Sequence, residues 1–304
     1  MPSIVERLPS GARVLVVRLR SLGDCVLTTP ALHLLHDYRT DLRIGVAVED
    51  RFAQIFDGNP AVAEILPPSK RAVLRFGPSL AINFHGGSRS AVLTAASLAR
   101  WRAGFGHYRQ QWVYNLSIPR AQEILGEERT VHTAEHLASA MFYLGVPRTE
   151  IPRALLFAEK HTPDRPYAVI HPLASSDAKA WPAERFLAIA RWLRDEAALA
   201  PVIIAGPGED LSEFAGFNQL AGASLREVKS LMSGASLFVG NDSGPAHMAA
   251  AFGVPVVALY GTSDPAIWAP WRTRSEVVAA PKGLQSVTVD DVRNAIEKLL
   301  GSPQ

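Results

Sequence analysis

Short apolar runs alternate with stretches of helical period along most of this chain. Positions 14–17 form an apolar run that predicts a strand, and Ser21-Leu22-Gly23-Asp24 turns the chain. After the turn Val26, Leu27, Ala31, Leu34, Leu35 and Tyr38 recur near a 3.6-residue period, which predicts a helix. Positions 43–48 and 80–84 predict further strands, and 88–99 and 133–144 further helices. The pattern resumes with strands predicted at 167–171, 201–205, 237–239 and 256–260. Helices are predicted between and after them, at 183–195, 224–233, 244–252 and 288–300. The last of these starts on a capping-box spacing, Thr288 with Asp291. Alternating strands and helices imply an α/β fold, with parallel sheets and helices on both faces.

Between the two alternating stretches, 151–166 holds five charged residues and three prolines with little periodicity, and it is the candidate linker. The predicted division is a first Rossmann-like domain over 1–155 and a second over 156–304, with a ligand cleft at the carboxyl ends of their strands. The last helix is a candidate to pack back across the interface between them. A length of 304 residues suits two cores of about 150 residues each.

Composition narrows the setting. One cysteine, Cys25, excludes a disulfide framework and a cysteine zinc site, as expected for a reducing, cytoplasmic compartment. Positions 1–20 carry Glu6, Arg7, Arg13, Arg18 and Arg20 around a short apolar run, unlike a secretory signal. The uncharged run 243–263 is long enough to suggest a membrane span. However, Gly244, Pro245, Gly253, Pro255 and Gly261 divide it into a helix-sized and a strand-sized piece. A net charge of +2 argues against a nucleic-acid partner. That charge is uneven: 1–155 has 18 Lys/Arg against 13 Asp/Glu, and 156–304 has 13 against 16. The basic front half would suit an anionic partner.

Three turns are candidates for chemistry. Gly240-Asn241-Asp242-Ser243-Gly244-Pro245-Ala246-His247 follows a strand and opens a helix, with Pro245 in the first turn. The amide groups and dipole at such a helix start would cradle a phosphate, and Gly244 would admit it closely. A plain helix cap by Asp242 or Ser243 explains the same residues. Arg18-Leu19-Arg20-Ser21-Leu22-Gly23-Asp24 is also a strand-to-helix turn, where Asp24 is either a general base for a hydroxyl or an N-cap. Ser175-Ser176-Asp177-Ala178-Lys179-Ala180-Trp181-Pro182 holds a lysine that would neutralise a leaving diphosphate or simply face water. After the next strand Gly206-Pro207-Gly208-Glu209 offers a carboxylate for a ribose hydroxyl. His132-Thr133-Ala134-Glu135-His136 matches the H-x-x-E-H zinc pattern, but no third ligand is marked and ordinary helix residues explain it as well.

In order and spacing these segments resemble glycosyltransferase family 9, the heptosyltransferases of lipopolysaccharide core assembly. The matching stretches are Val14 through Asp24, Thr28-Thr29-Pro30-Ala31-Leu32, Gly86 through Ala91, Ala178 through Pro182, Val239 through His247 and Pro255 through Pro265. The resemblance runs from about residue 13 to 272. It implies a GT-B fold and an inverting transferase that requires no metal or other cofactor. It further implies ADP-L-glycero-D-manno-heptose as nucleotide-sugar donor, on the back domain, and lipid-linked Kdo or heptose as anionic glycan acceptor, on the front domain. In that resemblance Asp24 falls on the general base and Lys179, with the amides after Gly240, on the leaving-group stabilisers. Ser175, Ser176, Lys179, Glu209, Asp242, Ser243, Gly244 and His247 fall on donor contacts, and Arg18, Arg20 and Arg89 on the acceptor side. Arg20 and Leu173 depart from the family's usual small residue and glycine, which leaves the acceptor open. With one cysteine the chain is not of the family's iron-binding kind. A lipid acceptor and a basic front half imply peripheral contact with the cytoplasmic face of the inner membrane. The alternatives are a same-fold transferase or epimerase for another nucleotide sugar, and a non-catalytic module that binds one.

Overall fold

The computed structural model describes residues 3–174, 176 and 180–301. The chain forms two compact units, Met1–Phe157 and Ala158–Gln304. In the first unit the strands are β1 (Arg13–Val17), β2 (Arg43–Ala47), β3 (Glu64–Leu66), β4 (Leu80–Asn83), β5 (Trp101–Phe105) and β6 (Leu116–Ile118). Its helices are α1 (Leu22–Tyr38), α2 (Asp50–Ala53), α3 (Lys70–Phe76), α4 (Ser88–Ala96), α5 (Ala121–Leu125) and α6 (Thr133–Leu144). The second unit has β7 (Tyr167–His171), β8 (Ala200–Ala205), β9 (Asn218–Ala221), β10 (Leu237–Asn241), β11 (Val256–Tyr260) and β12 (Ser275–Ala279). Its helices are α7 (Ala183–Asp195), α8 (Leu225–Ser233), α9 (Gly244–Phe252), α10 (Pro265–Trp268) and α11 (Val289–Gly301).

Both sheets are six-stranded and parallel, in the orders β3-β2-β1-β4-β5-β6 and β12-β11-β10-β7-β8-β9. Each therefore has the doubly wound Rossmann order, with the reversal between its first and fourth strands. The central strands are buried on both faces, which is why they read as unbroken apolar runs. In the first unit α3 and α4 pack on one apolar cluster through Val73, Phe76 and Leu93, with Leu15 and Val17 of β1 beneath them. In the second, Phe186, Ile189 and Leu193 of α7 share a core with Val292, Ile296 and Leu299 of α11. The predicted last helix thus buries its apolar face in its own unit.

Local chemistry explains several boundaries. Pro30 lies inside α1 and lacks the amide that would bond Val26. The Thr29 hydroxyl donates to the Val26 carbonyl instead, at 2.8 Å. Thr29 Oγ1 also accepts from Leu155 N at 3.0 Å, which ties the start of the irregular segment 151–166 to the first unit. Ser224 with Glu227 and Thr288 with Asp291 form reciprocal side-chain and backbone bonds at the starts of α8 and α11.

Three expectations are corrected. The helix predicted at 88–99 stops at Ala96, because Ser97 bonds back to the Thr94 carbonyl and Leu98 turns left-handed at φ +53. The strand predicted at 237–239 runs on to Asn241, because Gly240 and Asn241 pair with Ala258 and Leu259 of β11. The edge strands β3, β6, β9 and β12 were not predicted, since they are short or exposed and carry no apolar run, and neither was β5, whose apolar residues are broken by Arg102 and Gly104. No described helix is long and apolar enough to cross a membrane.

Candidate functional site

In a doubly wound sheet the loops after the first and fourth strands part in opposite directions and leave room for a ligand. In the first unit those loops follow β1 and β4, and in the second β7 and β10. The sequence candidates cluster there.

After β1 the Arg18 amide bonds the Ala47 carbonyl at 3.1 Å, continuing the pairing with β2 for one residue. This turns its side chain inward, to 7% exposure, with Nη1 3.5 Å from Asp24 Oδ1. Arg18 Nε has no hydrogen-bond partner among the described residues. Asp24 lies in the first turn of α1, while the N-cap is Ser21, so the reading of Asp24 as an N-cap is corrected. The Ser21 hydroxyl donates to Asp24 Oδ2 at 3.0 Å. Two donors thus orient the carboxylate, and a quarter of the side chain stays open to solvent.

After β4 the fully buried Asn83 organises the facing loop. Its Oδ1 accepts from the amides of His85 and Gly86 at 2.9 and 3.1 Å, and its Nδ2 donates to Tyr114 at 2.8 Å and Ser90 at 3.1 Å. His85 has its pKa lowered, first by burial, then by Arg18 and Arg20, with Asp24 opposing. It is therefore neutral near pH 7 and beside the Arg18–Asp24 pair. The Tyr108 ring covers Gly86, where an added Cβ would come within 2.4 Å of it. Burial drives the Tyr108 hydroxyl well above the usual phenol range, with a smaller opposing pull from Arg18. Arg20 is exposed, and Arg89 is held at 2.9 Å by Glu49. The structure groups Arg18, Asp24 and His85 and leaves Arg89 in a surface ion pair. Cys25, next to Asp24, is buried and its thiol is pushed up to about 12, chiefly by burial.

In the second unit β10 ends at Asn241, which is fully buried. Asn241 Oδ1 accepts from the Trp181 amide at 3.1 Å, and its Nδ2 donates to the carbonyls of Pro172 at 2.8 Å and Leu173 at 3.4 Å. One side chain therefore clamps both ends of the loop after β7 to the start of the Asp242–Gly244 turn. Ser176 lies exposed in that loop; Ser175 and Lys179 lie outside the described residues. The Asp242 amide bonds the Leu259 carbonyl at 2.9 Å, and α9 begins at Gly244 with Ser243 as N-cap and Pro245 in its first turn. Ser243 makes no side-chain cap bond, and its buried Oγ has no partner among the described residues. The cap reading by Ser243 is therefore not what the structure contains; the Ala246 amide bonds the Ser243 carbonyl at 3.2 Å instead. His247 is buried one turn further along α9.

After β8 the exposed Glu209 folds back so that Oε2 accepts from the Gly206 amide at 2.5 Å. Its charge reaches His171, the last residue of β7, whose pKa burial nevertheless lowers to about 4. Ser176, Glu209, Asp242, Ser243 and Gly244 thus all follow the carboxyl ends of β7, β8 and β10. Asn241 stood within the candidate turn 240–247 without a role of its own, and Asn83 was not among the candidates. Asn83 lies inside a strand predicted from sequence and Asn241 just beyond one, and the hydrogen bonds that give each its role appear only in the fold.

The H-x-x-E-H pattern resolves into helix capping. His132 is the N-cap of α6, and its Nδ1 accepts from the Ala134 amide at 3.1 Å. Glu135 accepts from the His132 amide and from Arg129, at 3.1 and 2.7 Å. His136 stacks on Phe105 at 4.0 Å between ring centres. Among the described residues no three His, Cys, Asp or Glu side chains are grouped to hold a metal.

A model of glycosyltransferase family 9 (heptosyltransferase) matches residues 71–294. The chain is similar to lipopolysaccharide heptosyltransferase 3 of Escherichia coli K12, at 27% identity over 338 aligned positions that cover 93% of this chain and 96% of that protein. Among solved structures it is similar to a family 9 glycosyl transferase of Veillonella parvula, with TM-score 0.83, 22% identity and 96% and 98% of the two chains covered. It is likewise similar to the Escherichia coli heptosyltransferase WaaC with ADP, with TM-score 0.79, 24% identity and 94% and 99% covered. At these identities the structural likeness speaks for the fold, the GT-B class expected from the sequence.

Proposed function

The chain belongs to glycosyltransferase family 9, and from that premise we propose that it transfers heptose from ADP-L-glycero-D-manno-heptose to a lipid-linked Kdo or heptose of the lipopolysaccharide inner core. The second unit binds the donor and the first binds the acceptor, each at its own carboxyl strand ends. The observation that carries the donor half is the start of α9, where Ser243 makes no side-chain cap bond and its buried hydroxyl has no partner among the described residues. An ADP diphosphate supplies the acceptor oxygens such a cradle lacks.

The reaction is a single displacement. Asp24 takes the proton from an acceptor hydroxyl, whose oxygen bonds to the anomeric carbon as the bond to the diphosphate breaks. Attack opposite the leaving group inverts the centre. ADP leaves with its new charge offset by Lys179 and the amides after Gly240, so no metal ion takes part. Asp24 is a fitting base because Arg18 and Ser21 orient it while part of the carboxylate stays accessible. Arg18 and Arg20 serve the acceptor's anionic groups. Arg89 would join them only after leaving Glu49.

The test is a mass-spectrometric assay of ADP-heptose against a panel of truncated core acceptors, with the anomeric configuration of the product read by NMR. Transfer with inversion, retained in EDTA, is the expected result. Donor turnover without any acceptor would replace this reading with an epimerase. ADP binding with no turnover under any acceptor would replace it with a binding module.

A further inference from the structure

From Ile65 to Gln122 the chain contains no aspartate or glutamate but eight Lys/Arg residues. Counterions for so long a basic stretch must come from elsewhere in the fold or from outside the molecule. Some come from within: Glu49 holds Arg89 and Glu123 holds Arg120. Lys70, Arg71, Arg75, Arg100 and Arg109 are exposed and have no carboxylate partner among the described residues.

The same stretch carries most of the misplaced apolar surface. Among the described residues six large hydrophobic side chains are exposed, and four of them, Leu74, Val92, Leu98 and Trp112, fall within it. They lie on elements packed side by side. Helices α3 and α4 share one apolar cluster, and Ala91 and Ala95 of α4 pack against Val113 and Tyr114 in and after the short helical turn Gln111–Val113. Arg102 joins the end of α4 to that turn, donating to the carbonyls of Ala99 at 2.9 Å and Val113 at 2.8 Å. Leu98 and Trp112, the neighbours of those two residues, are 74% and 78% exposed. Leu98 is displayed at a left-handed position, φ +53, where glycine would fit without strain. Folding gains nothing from leaving these side chains in water.

We infer that this outer layer of the first unit, α3, α4 and the Gln111–Val113 turn, docks on the surface of a bilayer containing anionic lipid. An exposed tryptophan and aliphatic side chains on a stretch rich in cations without carboxylate partners match a headgroup boundary, where the apolar groups enter and the cations meet lipid phosphates. Aliphatic leucine and valine have no counterpart in a nucleic-acid backbone, which favours lipid as the occupant. The inference serves the lipid-borne acceptor proposed above, but its test uses neither donor nor acceptor, so it fails separately from the transfer reading.

The full chain is floated with vesicles of phosphatidylcholine alone and of phosphatidylcholine with phosphatidylglycerol. Binding is expected to rise about tenfold on the anionic vesicles and to fall with added salt. Leu98→Ser with Trp112→Ser, and separately Arg100→Glu with Arg109→Glu, should each lower it about tenfold, with circular dichroism unchanged because all four side chains are exposed. Brominated lipid should quench the wild type and lose that Trp112 contribution in Trp112→Phe. Failure of the wild type to float overturns the inference. So does equal flotation of the variants, or Trp112-dependent self-association or RNA binding without flotation.

Discussion

The Trp181 amide donates to Asn241 Oδ1 at 3.1 Å, across sixty positions of sequence. With the Asn241 Nδ2 bond to the Pro172 carbonyl, this makes one buried side chain the clamp for the loop after β7. The clamp sits one residue before the turn that opens α9, so the two halves of the proposed diphosphate site are positioned by a single amide. The first unit repeats the device: Asn83, also the last residue of its fourth strand and also fully buried, holds the His85–Gly86 turn opposite Asp24.

Asn241→Leu should remove all three side-chain bonds and leave the Trp181 N–H and the Pro172 carbonyl buried without partners. Losing paired buried groups in this way costs about 2–4 kcal/mol. Urea denaturation should show that loss, and calorimetry should show weaker ADP binding in protein that remains folded. Wild-type stability together with wild-type ADP affinity would remove the clamp from the account.

Asp24→Asn keeps the size of the side chain and removes the base. Transfer should fall about 10²–10⁴-fold while ADP affinity stays unchanged, because the donor is assigned to the other unit. Near-normal turnover in this variant would sink the single-displacement mechanism.

Gly86→Ala tests the packing that places Tyr108 over the β4 loop. The new Cβ would lie 2.4 Å from the Tyr108 ring on a backbone at φ +77. Ring displacement and backbone strain together should cost about 1–4 kcal/mol. Gly126→Ala has a similar φ of +75 but nothing within 4 Å, so its loss should be the smaller. Equal losses would mean the Tyr108 contact is unimportant.

Burial lowers the pKa of His136 to about 4, helped by His107 and Arg18, and burial lowers that of His171 to about 4 as well. Unfolded, each would titrate near 6.5. The folded pKa is the lower one, so their contribution is fully present above about pH 6.5 and is lost as pH falls towards 4. In that window each histidine should remove up to about 1.4 kcal/mol of stability per pH unit. Urea midpoints measured from pH 7 to 4.5 should fall accordingly, and His136→Phe should fall less steeply. A parallel decline in that variant would exclude His136 as a source.

Much of the fold was legible in the chain. Buried parallel strands must be apolar on both faces, so β1, β7 and β11 stand out as runs that no surface element would carry. The start of α9 was legible because glycine and proline at a helix start are chosen by backbone geometry, which is local. Asp24 and the basic turn before it could be named from their position after a strand. Whether Asp24 was a cap or an oriented carboxylate could not be decided there, since both readings place it at the same spacing.

Tertiary structure decided the rest, because the deciding contacts span long stretches of chain. Asn241 became a clamp only when pairing with β11 carried β10 two residues beyond its apolar run. Glu135, half of a possible metal pattern, was claimed by Arg129 and the His132 amide. Arg89 was claimed by Glu49, forty positions away. The strand order, with its reversal between first and fourth strands, placed the candidate turns together in each unit. Local sequence determines which backbone conformations are cheap. Which side chains share one desolvated space depends on packing between segments that local pattern does not encode.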